Sequence, residues 1–272
     1  RSRTILDLTT CLISMSKIHP TAIIEDGAIL GSDVIVGAYS QIGPQVKLGA
    51  GCLLHSHVVL AGNTTVGEQN VFHPFSYVGG EPQDLKYHGE DTQVLVGDHN
   101  TFREGVSVHR GTQGGGGCTT LGSHNLLMGY VHVAHDCHIG SHNVLANYTG
   151  LSGHVTIEDY VTLGGQNGVA QFLRIGSYAF TGGASLIDGH VAPYVTGYGN
   201  RFEVKGVNIV GLKRHGFSQA AINNILESHR IYFREDLKAD EAIRIIEETF
   251  GDTSEVRRFL DFVSETKGSV KR

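Results

Sequence analysis

Residues 130–140, YVHVAHDCHIG, hold three histidines, one aspartate and one cysteine within eleven positions. Histidine ionises nearest to neutral pH, so it can act as a general base, and a neighbouring carboxylate such as Asp136 can fix its tautomer. The same residue types can bind a metal ion, and Cys137 could carry an acyl group. The directions of these side chains decide among the three chemistries.

Composition narrows the functional class. The chain has 272 residues, a net charge of −6 and 18% charged residues, so it lacks the basic excess of a nucleic-acid-binding protein. Its four cysteines form no CxxC pair, and we find neither a typical signal peptide nor an apolar run long enough to span a membrane. We predict a cytoplasmic protein with reduced thiols, and we interpret residues 1–14 as an extension outside the fold.

An apolar residue recurs at every sixth position over most of the chain. The column runs unbroken from Ile24 to Val78 and, after two interruptions, continues to Ile187 with only Thr181 polar among its later members. A period of six fits neither an α-helix nor a simple strand, but it fits a short strand followed by a corner. The pattern is typical of an all-β solenoid, the left-handed parallel β-helix of hexapeptide repeats with three hexads per coil.

Two segments interrupt the repeat, and a different pattern follows it. GGEPQDLKYHGEDTQ (79–93) and RGTQGGGGC (110–118) are rich in polar residues and glycine, which predicts two loops, the second more flexible. Beyond the repeat, SQAAINNILESHRIYF, ADEAIRIIEETF and SEVRRFLDFVSE show helical spacing. We therefore predict a β-helix over 15–201 and a smaller α-helical C-terminal domain over 202–272.

Residues eighteen apart should lie on one face, one coil apart, wherever no insertion separates them. This rule stacks Gly153 beside His135 and His154 beside Asp136, with Gln171 one coil further along. It places all five outside the apolar core. A glycine N–H beside a histidine base could stabilise a developing oxyanion.

Three interpretations of the histidine cluster stay open at this point. A metal ion needs three or four ligands at about 2.0–2.3 Å, and His132 and His138 lie six residues apart, hence on different faces, so only two subunits together could complete that set. An exposed histidine ladder explains isolated residues such as His142. A base that activates a sugar hydroxyl explains the adjacent His135 and Asp136.

Several motifs together resemble the UDP-N-acetylglucosamine O-acyltransferase family, over all but residues 1–14. In chain order they are HPTAIIEDGA, SHVVLAG, QDLKY, VHRGT, NLLMGYVHVAHDC, GVNIVGLKRHGF and the helical tail. The resemblance implies a homotrimer that begins lipid A biosynthesis by transferring an (R)-3-hydroxyacyl group from acyl carrier protein to the glucosamine 3-hydroxyl of UDP-N-acetylglucosamine. It implies no cofactor, since the phosphopantetheine of the carrier protein holds the acyl group, and we predict no metal.

The resemblance also implies roles for individual residues. His135 matches the general base, Asp136 its orienting acid and Gly153 the oxyanion donor. Gly183 matches the position that measures acyl length, where glycine suggests a longer chain. Asp84 and Lys86, in the QDLKY loop, are expected to reach a neighbouring subunit. Asn208 and Arg214 match contacts to the uridine diphosphate. The matched substrate-binding residues are Asp84, Lys86, His132, His154, Gln171, Asn208 and Arg214.

Three departures from the family pattern are expected on the nucleotide side of the site. Ala170 stands where a histidine is common, Val210 where an acidic residue is usual and His215 where a second arginine is usual. They leave open an amino-substituted nucleotide sugar or an N-acyl acceptor. An acetyltransferase using acetyl-CoA, a metal-dependent lyase and an inactive scaffold are the remaining alternatives. Basic residues between Arg201 and Arg234 are predicted to meet the acidic carrier protein.

Overall fold

A computed structural model of the chain describes residues 17–266 and residue 270. The extension predicted over residues 1–14 lies outside the described residues.

Short parallel strands build three sheets around one axis, and every third strand joins the same sheet until the last two strands, which both extend the first sheet. Sheet A contains β1 (Lys17–Ile18), β4 (Ile35–Val36), β7 (Leu53–Leu54), β10 (Val71–Phe72), β13 (Thr101–Phe102), β16 (Leu126–Leu127), β19 (Val144–Leu145), β22 (Thr162–Leu163), β25 (Phe180–Thr181), β27 (Val195–Tyr198) and β28 (Glu203–Val207). Sheet B contains β2 (Ile23–Ile24), β5 (Gln41–Ile42), β8 (Val59–Leu60), β11 (Tyr77–Gly80), β14 (Ser107–His109), β17 (His132–Val133), β20 (Gly150–Leu151), β23 (Gly168–Val169) and β26 (Leu186–Ile187). Sheet C contains β3 (Ile29–Leu30), β6 (Lys47–Leu48), β9 (Asn63–Val66), β12 (Gln93–Val96), β15 (Cys118–Leu121), β18 (His138–Ile139), β21 (Thr156–Ile157) and β24 (Arg174–Ile175).

The strand register confirms the predicted coil of three hexads. His132 pairs with Gly150, and Gly150 pairs with Gly168, so successive partners are eighteen residues apart. From Ile42 onward the members of the period-six column are buried in the core. Thr181 is buried too, and its hydroxyl accepts a hydrogen bond from Asn167 Nδ2, so the polar break in the column leaves no unpaired hydroxyl.

The three corners of the coil repeat with the same backbone. We name them by the sheets they connect: the A–B, B–C and C–A corners. At each, the second turn residue adopts a left-handed conformation, as in Asp136 (φ 57°), His142 (φ 61°) and His154 (φ 61°). Side chains at such positions stack from coil to coil. Inside the C–A corner, buried asparagines bridge the coils; Asn100, for example, donates from its backbone and side chain to Asn70 Oδ1.

Both predicted loops leave the β-helix at the B–C corner, on two successive coils. The first connects β11 to β12, and the second connects β14 to β15 and contains a 3₁₀ turn, Gln113–Gly115. The strand pairing continues past both loops without a shift, since Val71 pairs with Thr101 and Thr101 pairs with Leu126. The loops therefore project from the corner that carries His135 on the next coil.

The chain ends in four helices. They are α1 (Ile209–Arg214), α2 (Gln219–Arg234), α3 (Ala239–Phe250) and α4 (Ser254–Glu265). Ser218 caps α2 by accepting from Ala221 N at 3.1 Å. β28 pairs antiparallel with β27, so sheet A continues past the domain boundary that we predicted at 202. Within the described residues, none of the helices is long and apolar enough to cross a membrane.

Candidate active site

Three successive coils contribute to one strip at the B–C corner. His135 and Asp136 form the turn between β17 and β18. Gly153 and His154 form the equivalent turn on the next coil, and Gln171 stands exposed on the third coil. The backbone N–H of His154 donates to the carbonyl of His135 at 3.0 Å, which ties the first two turns together. The eighteen-residue rule therefore places these side chains correctly.

His135 and Asp136 form a hydrogen-bonded pair. His135 Nδ1 lies 2.8 Å from Asp136 Oδ2, so the proton on Nδ1 points to the carboxylate and the lone pair lies on Nε2. The His135 side chain is 15% exposed and that of Asp136 is 0% exposed. His154 stands perpendicular to His135, with ring centroids 5.1 Å apart and an interplanar angle of 89°. This geometry suits a base that works through Nε2.

The loop after β14 covers the carboxylate of Asp136. Thr112 donates to it twice, from its backbone N–H to Oδ1 at 2.9 Å and from its hydroxyl to Oδ2 at 2.7 Å. The prediction that Asp136 lies on the outside of a face is therefore wrong in one respect, because this loop buries it. The glycines that suggested a flexible loop permit close approach instead: a Cβ on Gly115 would overlap Asp136.

Gly153 lies directly beneath the ring of His135. A Cβ placed on it would stand 2.5 Å from His135 Cε1 and 2.7 Å from Nε2. Its carbonyl accepts from Phe172 N, whereas its N–H donates to no acceptor among residues 17–266 and 270. In the described residues the first turn residue of the A–B corner, such as Asn147, also leaves its N–H free, whereas at the C–A corner Ser141 N donates to Asp159 Oδ1 at 2.7 Å. At Gly153 this free donor belongs to a residue that packs against the ring of His135.

A cavity of about 520 Å³ opens beside the pair. Asp84 and Lys86 from the loop before β12 line it together with Thr112, His154 and Phe172. Asp84 Oδ1 accepts from Lys86 N at 2.9 Å, which holds that loop in a turn. Both residues line a cavity together with the histidine corner of their own chain, and their reach to a neighbouring subunit stays a prediction.

Two neutral imidazoles lie on sheet B near the base, His132 on the same coil and His109 on the coil before it. Burial and the neighbouring His135 lower the pKa of His132, whose Nδ1 lies 2.8 Å from Ser107 Oγ. Burial, reinforced by His132, lowers the pKa of His109 to about 4, and the two rings meet edge to face at 5.0 Å. His132 therefore enters the site uncharged at neutral pH and can exchange a hydrogen bond with a substrate.

Three predicted site residues lie elsewhere in the chain. Asn208 and Arg214 line a second cavity, of about 570 Å³, on the side of sheet A. The amide of Asn208 already has partners there, since it donates to Tyr178 O at 2.9 Å and accepts from Gly211 N at 3.0 Å as the cap of α1. Gly183 stands exposed on the A–B corner. A single chain does not bring these three residues to His135.

The three departures from the family pattern divide between the two regions. Val210 and His215 line the second cavity, where Val210 is exposed and His215 packs edge to face against Tyr160 at 4.9 Å. Ala170 instead lies between β23 and the B–C corner, next to Gln171. Within one chain Ala170 therefore lies apart from Val210 and His215, and the expectation that all three lie on the nucleotide side of one site stays a prediction.

Metal binding and acyl transfer through cysteine fit the site poorly. His135, Asp136 and His154 present ligand atoms within 4.8 Å of one another. Asp136 Oδ2, the oxygen nearest both histidines, already accepts from His135 Nδ1 and from the Thr112 hydroxyl, so an ion bound to it would have to displace one of these donors. Cys137 points into the core, where burial raises the pKa of its thiol to about 12. A thiol so protonated is a weak nucleophile.

Several predicted basic contacts already have acidic partners. Arg201 pairs with Asp188, Lys205 with Glu203, and Arg230 with Glu227 and Glu235. In the described part of the chain no ion pair engages Lys213 or Arg214, both in the last turn of α1. Arg234 forms no ion pair there either, but its guanidinium donates to Lys205 O, so among the described residues Lys213 and Arg214 are the cations of that set without a side-chain hydrogen bond or ion pair.

Thr112 and Thr119 are site residues that the sequence did not reveal. Thr119 Oγ1 accepts from Asp136 N at 2.9 Å, which holds the left-handed turn in place. Thr119 precedes Asp136 by seventeen residues, close to one coil, so the repeat offers a faint signal for it. Thr112 has none, because the path of an inserted loop does not follow the period of six.

Comparison with known proteins places the chain in a family. Residues 190–270 match the model described as Udp N-acetylglucosamine O-acyltransferase, domain 2. The acyl-[acyl-carrier-protein]–UDP-N-acetylglucosamine O-acyltransferase of Syntrophobacter fumaroxidans is 46% identical over 257 residues, 94% of this chain and 100% of the relative. The structure of LpxA from Acinetobacter baumannii matches with a TM-score of 0.91 and 43% identity, over 94% of this chain and 99% of that one.

A second solved structure agrees. UDP-N-acetylglucosamine O-acyltransferase from Moraxella catarrhalis matches with a TM-score of 0.92 and 42% identity, again over 94% of this chain and 99% of the other. The predicted left-handed parallel β-helix with a smaller helical C-terminal domain is thereby confirmed. On these matches, the chain belongs to the UDP-N-acetylglucosamine O-acyltransferase family.

Proposed function

We propose that this protein transfers an (R)-3-hydroxyacyl group from acyl carrier protein to the glucosamine 3-hydroxyl of UDP-N-acetylglucosamine, the first step of lipid A biosynthesis. Family membership supports the donor and the acceptor, since the matched relative is named for both. The observation that carries the proposal is the 2.8 Å contact between His135 Nδ1 and Asp136 Oδ2, with Gly153 beneath the ring.

In the proposed reaction the sugar hydroxyl attacks the thioester directly. His135 Nε2 takes the hydroxyl proton as the oxygen bonds to the acyl carbon, and Asp136 stabilises the imidazolium through Nδ1–H. The tetrahedral intermediate then collapses, the carbon–sulfur bond breaks, and the departing phosphopantetheine sulfur takes the proton back. Neither an acyl-enzyme nor a cofactor enters this sequence.

The free N–H of Gly153 is proposed to stabilise the oxyanion. A donor held in place before the reaction stabilises the charge that develops on the carbonyl oxygen, and losing one such donor typically costs about 10²–10³-fold in kcat. Glycine suits this position, since its missing side chain leaves room for both the imidazole and the thioester.

The cavity beside the pair is proposed to hold the sugar. Asp84 and Lys86 offer an acceptor and a cation there, and His132 and His154 offer imidazole hydrogen bonds on the two sides of His135. Gln171 extends the same strip by one coil. These groups suit an acceptor with several hydroxyls and an attached phosphate.

A homotrimer is proposed because the predicted site residues divide between corners. Gly183 on the A–B corner, and Asn208 and Arg214 beside sheet A, can serve the same substrate as His135 only if a second copy brings them there. Three β-helices around one axis would place the sheet A side of each copy against the B–C corner of the next copy. Lys213 and Arg214 are proposed to meet acyl carrier protein, and the enzyme is proposed to act in the cytoplasm.

An amino-substituted nucleotide sugar, acylated on nitrogen, is the second candidate acceptor. Val210 and His215 leave this acceptor open, since they replace a usual acidic residue and a usual arginine in the second cavity. Both acceptors use the same base, because an amine also loses a proton on acylation.

The test is a transfer assay with purified full-length protein. 3-Hydroxyacyl carrier proteins of several chain lengths and acetyl-CoA are each combined with UDP-N-acetylglucosamine or with its 3-amino analogue. The proposal predicts an ester product from the hydroxyacyl carrier proteins and none from acetyl-CoA. Transfer from acetyl-CoA alone would overturn the donor, and transfer to the amino sugar alone would replace the acceptor by the second candidate.

A further inference from the structure

The loop that follows β14 fits closely over Asp136. A Cβ on Gly111 would stand 2.7 Å from Asp136 Oδ1, and one on Gly115 would overlap the carboxylate. The loop is closed on itself, since Gly115 N and Gly117 N both donate to Thr112 O, at 3.0 and 2.8 Å. Water is thereby kept from the carboxylate, whose hydrogen-bond donors must all come from the protein.

Thr112 supplies two of the three donors that reach this carboxylate. Its hydroxyl contacts Oδ2, the oxygen that also receives His135 Nδ1, and its backbone N–H contacts Oδ1. A carboxylate in a dry site favours its neutral form unless donors stabilise its charge. The hydrogen bond to Asp136 Oδ2 is what keeps the proton of His135 on Nδ1 and the lone pair on Nε2.

We infer that Thr112 is a positioning residue for the reaction, which holds the carboxylate of Asp136 aimed at His135 through its side-chain hydroxyl. The inference rests on the proposed function, because it acts through the proposed base. The glycines on either side let the threonine approach, and Thr119 holds the backbone of Asp136 from the other side. Three hydrogen bonds reach the carboxylate and a fourth holds its backbone, so the imidazole has one orientation available.

The inference predicts a particular kinetic defect for Thr112→Val, which keeps the shape and the backbone N–H but removes the hydroxyl. We expect kcat to fall about 10- to 100-fold, as for the loss of a charge-assisted hydrogen bond of about 1.5–3 kcal/mol. KM for UDP-N-acetylglucosamine should stay within about twofold, since substrate contacts are unchanged. Thr112→Ser should restore kcat to within about threefold of wild type.

The pH profile gives a readout that a purely structural role would not change. Without the hydroxyl, more negative charge stays on Oδ2, and this charge holds a proton on the imidazole more tightly. The acidic limb of kcat/KM should therefore move to higher pH in Thr112→Val and return in Thr112→Ser. Thr120→Val is the matched control, because it removes an exposed threonine hydroxyl that contacts His138 on sheet C.

A double-mutant cycle with Asp136→Asn completes the test. If Thr112 acts through Asp136, Thr112→Val should cost less than about threefold once Asp136→Asn is present. An undiminished cost in that background, or a raised KM at unchanged kcat, would overturn the inference and make Thr112 a substrate contact. Thr112→Cys, with a weak donor of similar volume, replaces valine in the cycle if the valine variant is unstable.

The two proposals can fail separately. Wild-type protein without any transfer activity would remove the proposed function. An active wild type beside a fully active Thr112→Val would remove only the role of Thr112.

Discussion

Two corners of this β-helix carry histidines on the same backbone, and only one of them has the geometry of a base. At the C–A corner, His99, His124 and His142 stack in parallel, with centroids 4.9 and 4.8 Å apart and planes within 5°. They are exposed, and in the described part of the chain no carboxylate hydrogen-bonds to them. The stack continues into Tyr160.

The B–C corner differs in what occupies the left-handed position. Asp136 stands there, where His142 stands at the C–A corner, and the histidine moves one residue earlier. That exchange places a carboxylate against Nδ1, and the two inserted loops then bury the carboxylate and form a cavity beside it. The repeat provides equivalent corners. The insertions turn one corner into a site.

Among substitutions that leave His135 in place, Asp136→Asn should lower kcat the most, because it removes the carboxylate that distinguishes the B–C corner. An asparagine amide would donate to Nδ1, so the histidine would carry its proton on Nε2 and could not act as the base. We expect kcat to fall about 10³-fold or more with KM nearly unchanged. Steady-state kinetics should show no such loss for Asp159→Asn, the matched aspartate at the C–A corner. Equal losses in both variants would contradict the assignment.

Gly153→Ala should come next. The added Cβ would stand 2.5–2.7 Å from the His135 ring, so the imidazole must shift and the oxyanion donor is crowded. A displacement of that kind costs about 10²-fold in kcat. Gly206→Ala is the control, since its Cβ would meet open space. Full activity of Gly153→Ala would show that the ring position is not needed for the reaction.

Buried and exposed histidines should also differ in how they link stability to pH. The pKa of His109 is about 4, below the ordinary 6.5, so between these values the unfolded chain binds a proton that the folded chain does not. Its contribution is present above pH 6.5 and is lost toward pH 4, at most about 3 kcal/mol. Urea unfolding at pH 7.5 and 4.5 should give a smaller pH difference for His109→Gln than for wild type.

His142→Gln is the control for that measurement, because His142 stands on the exposed stack. It should keep the wild-type dependence of the unfolding free energy on pH. A pH dependence unchanged in His109→Gln, or flattened equally in both variants, would remove the distinction between the two kinds of histidine.

Gly183→Met should have the smallest effect on the rate. Gly183 is exposed on the A–B corner, where an added Cβ would approach Gly165 O at 3.2 Å, so a longer side chain leaves the B–C corner intact. We expect kcat for short acyl donors to stay within about threefold and the preferred chain to become shorter. Competition among carrier proteins loaded with different acyl lengths measures this, and an unaltered preference would remove Gly183 as the length-setting residue.

The sequence predicts the β-helix and the strip at its corner because a strict period carries both. The stacking of His135, Gly153 and Gln171 could be predicted from the sequence, since each lies eighteen residues from the next. The burial of Asp136 could not be predicted, because Thr112 reaches it from a loop outside the period. The distance between Ala170 and the pair Val210 and His215 could not be predicted either. It depends on how the helical domain packs against sheet A, and the repeat does not extend to that domain.

The role of His135 as the base is decided by comparing His135→Ala with His142→Ala in transfer from a 3-hydroxyacyl carrier protein to UDP-N-acetylglucosamine. Both variants remove one imidazole from a corner of the same β-helix, and thermal unfolding checks that both remain folded. We predict a fall of at least about 10³-fold in kcat/KM for His135→Ala and wild-type activity for His142→Ala. More than a tenth of the wild-type rate in His135→Ala would contradict its assignment as the base.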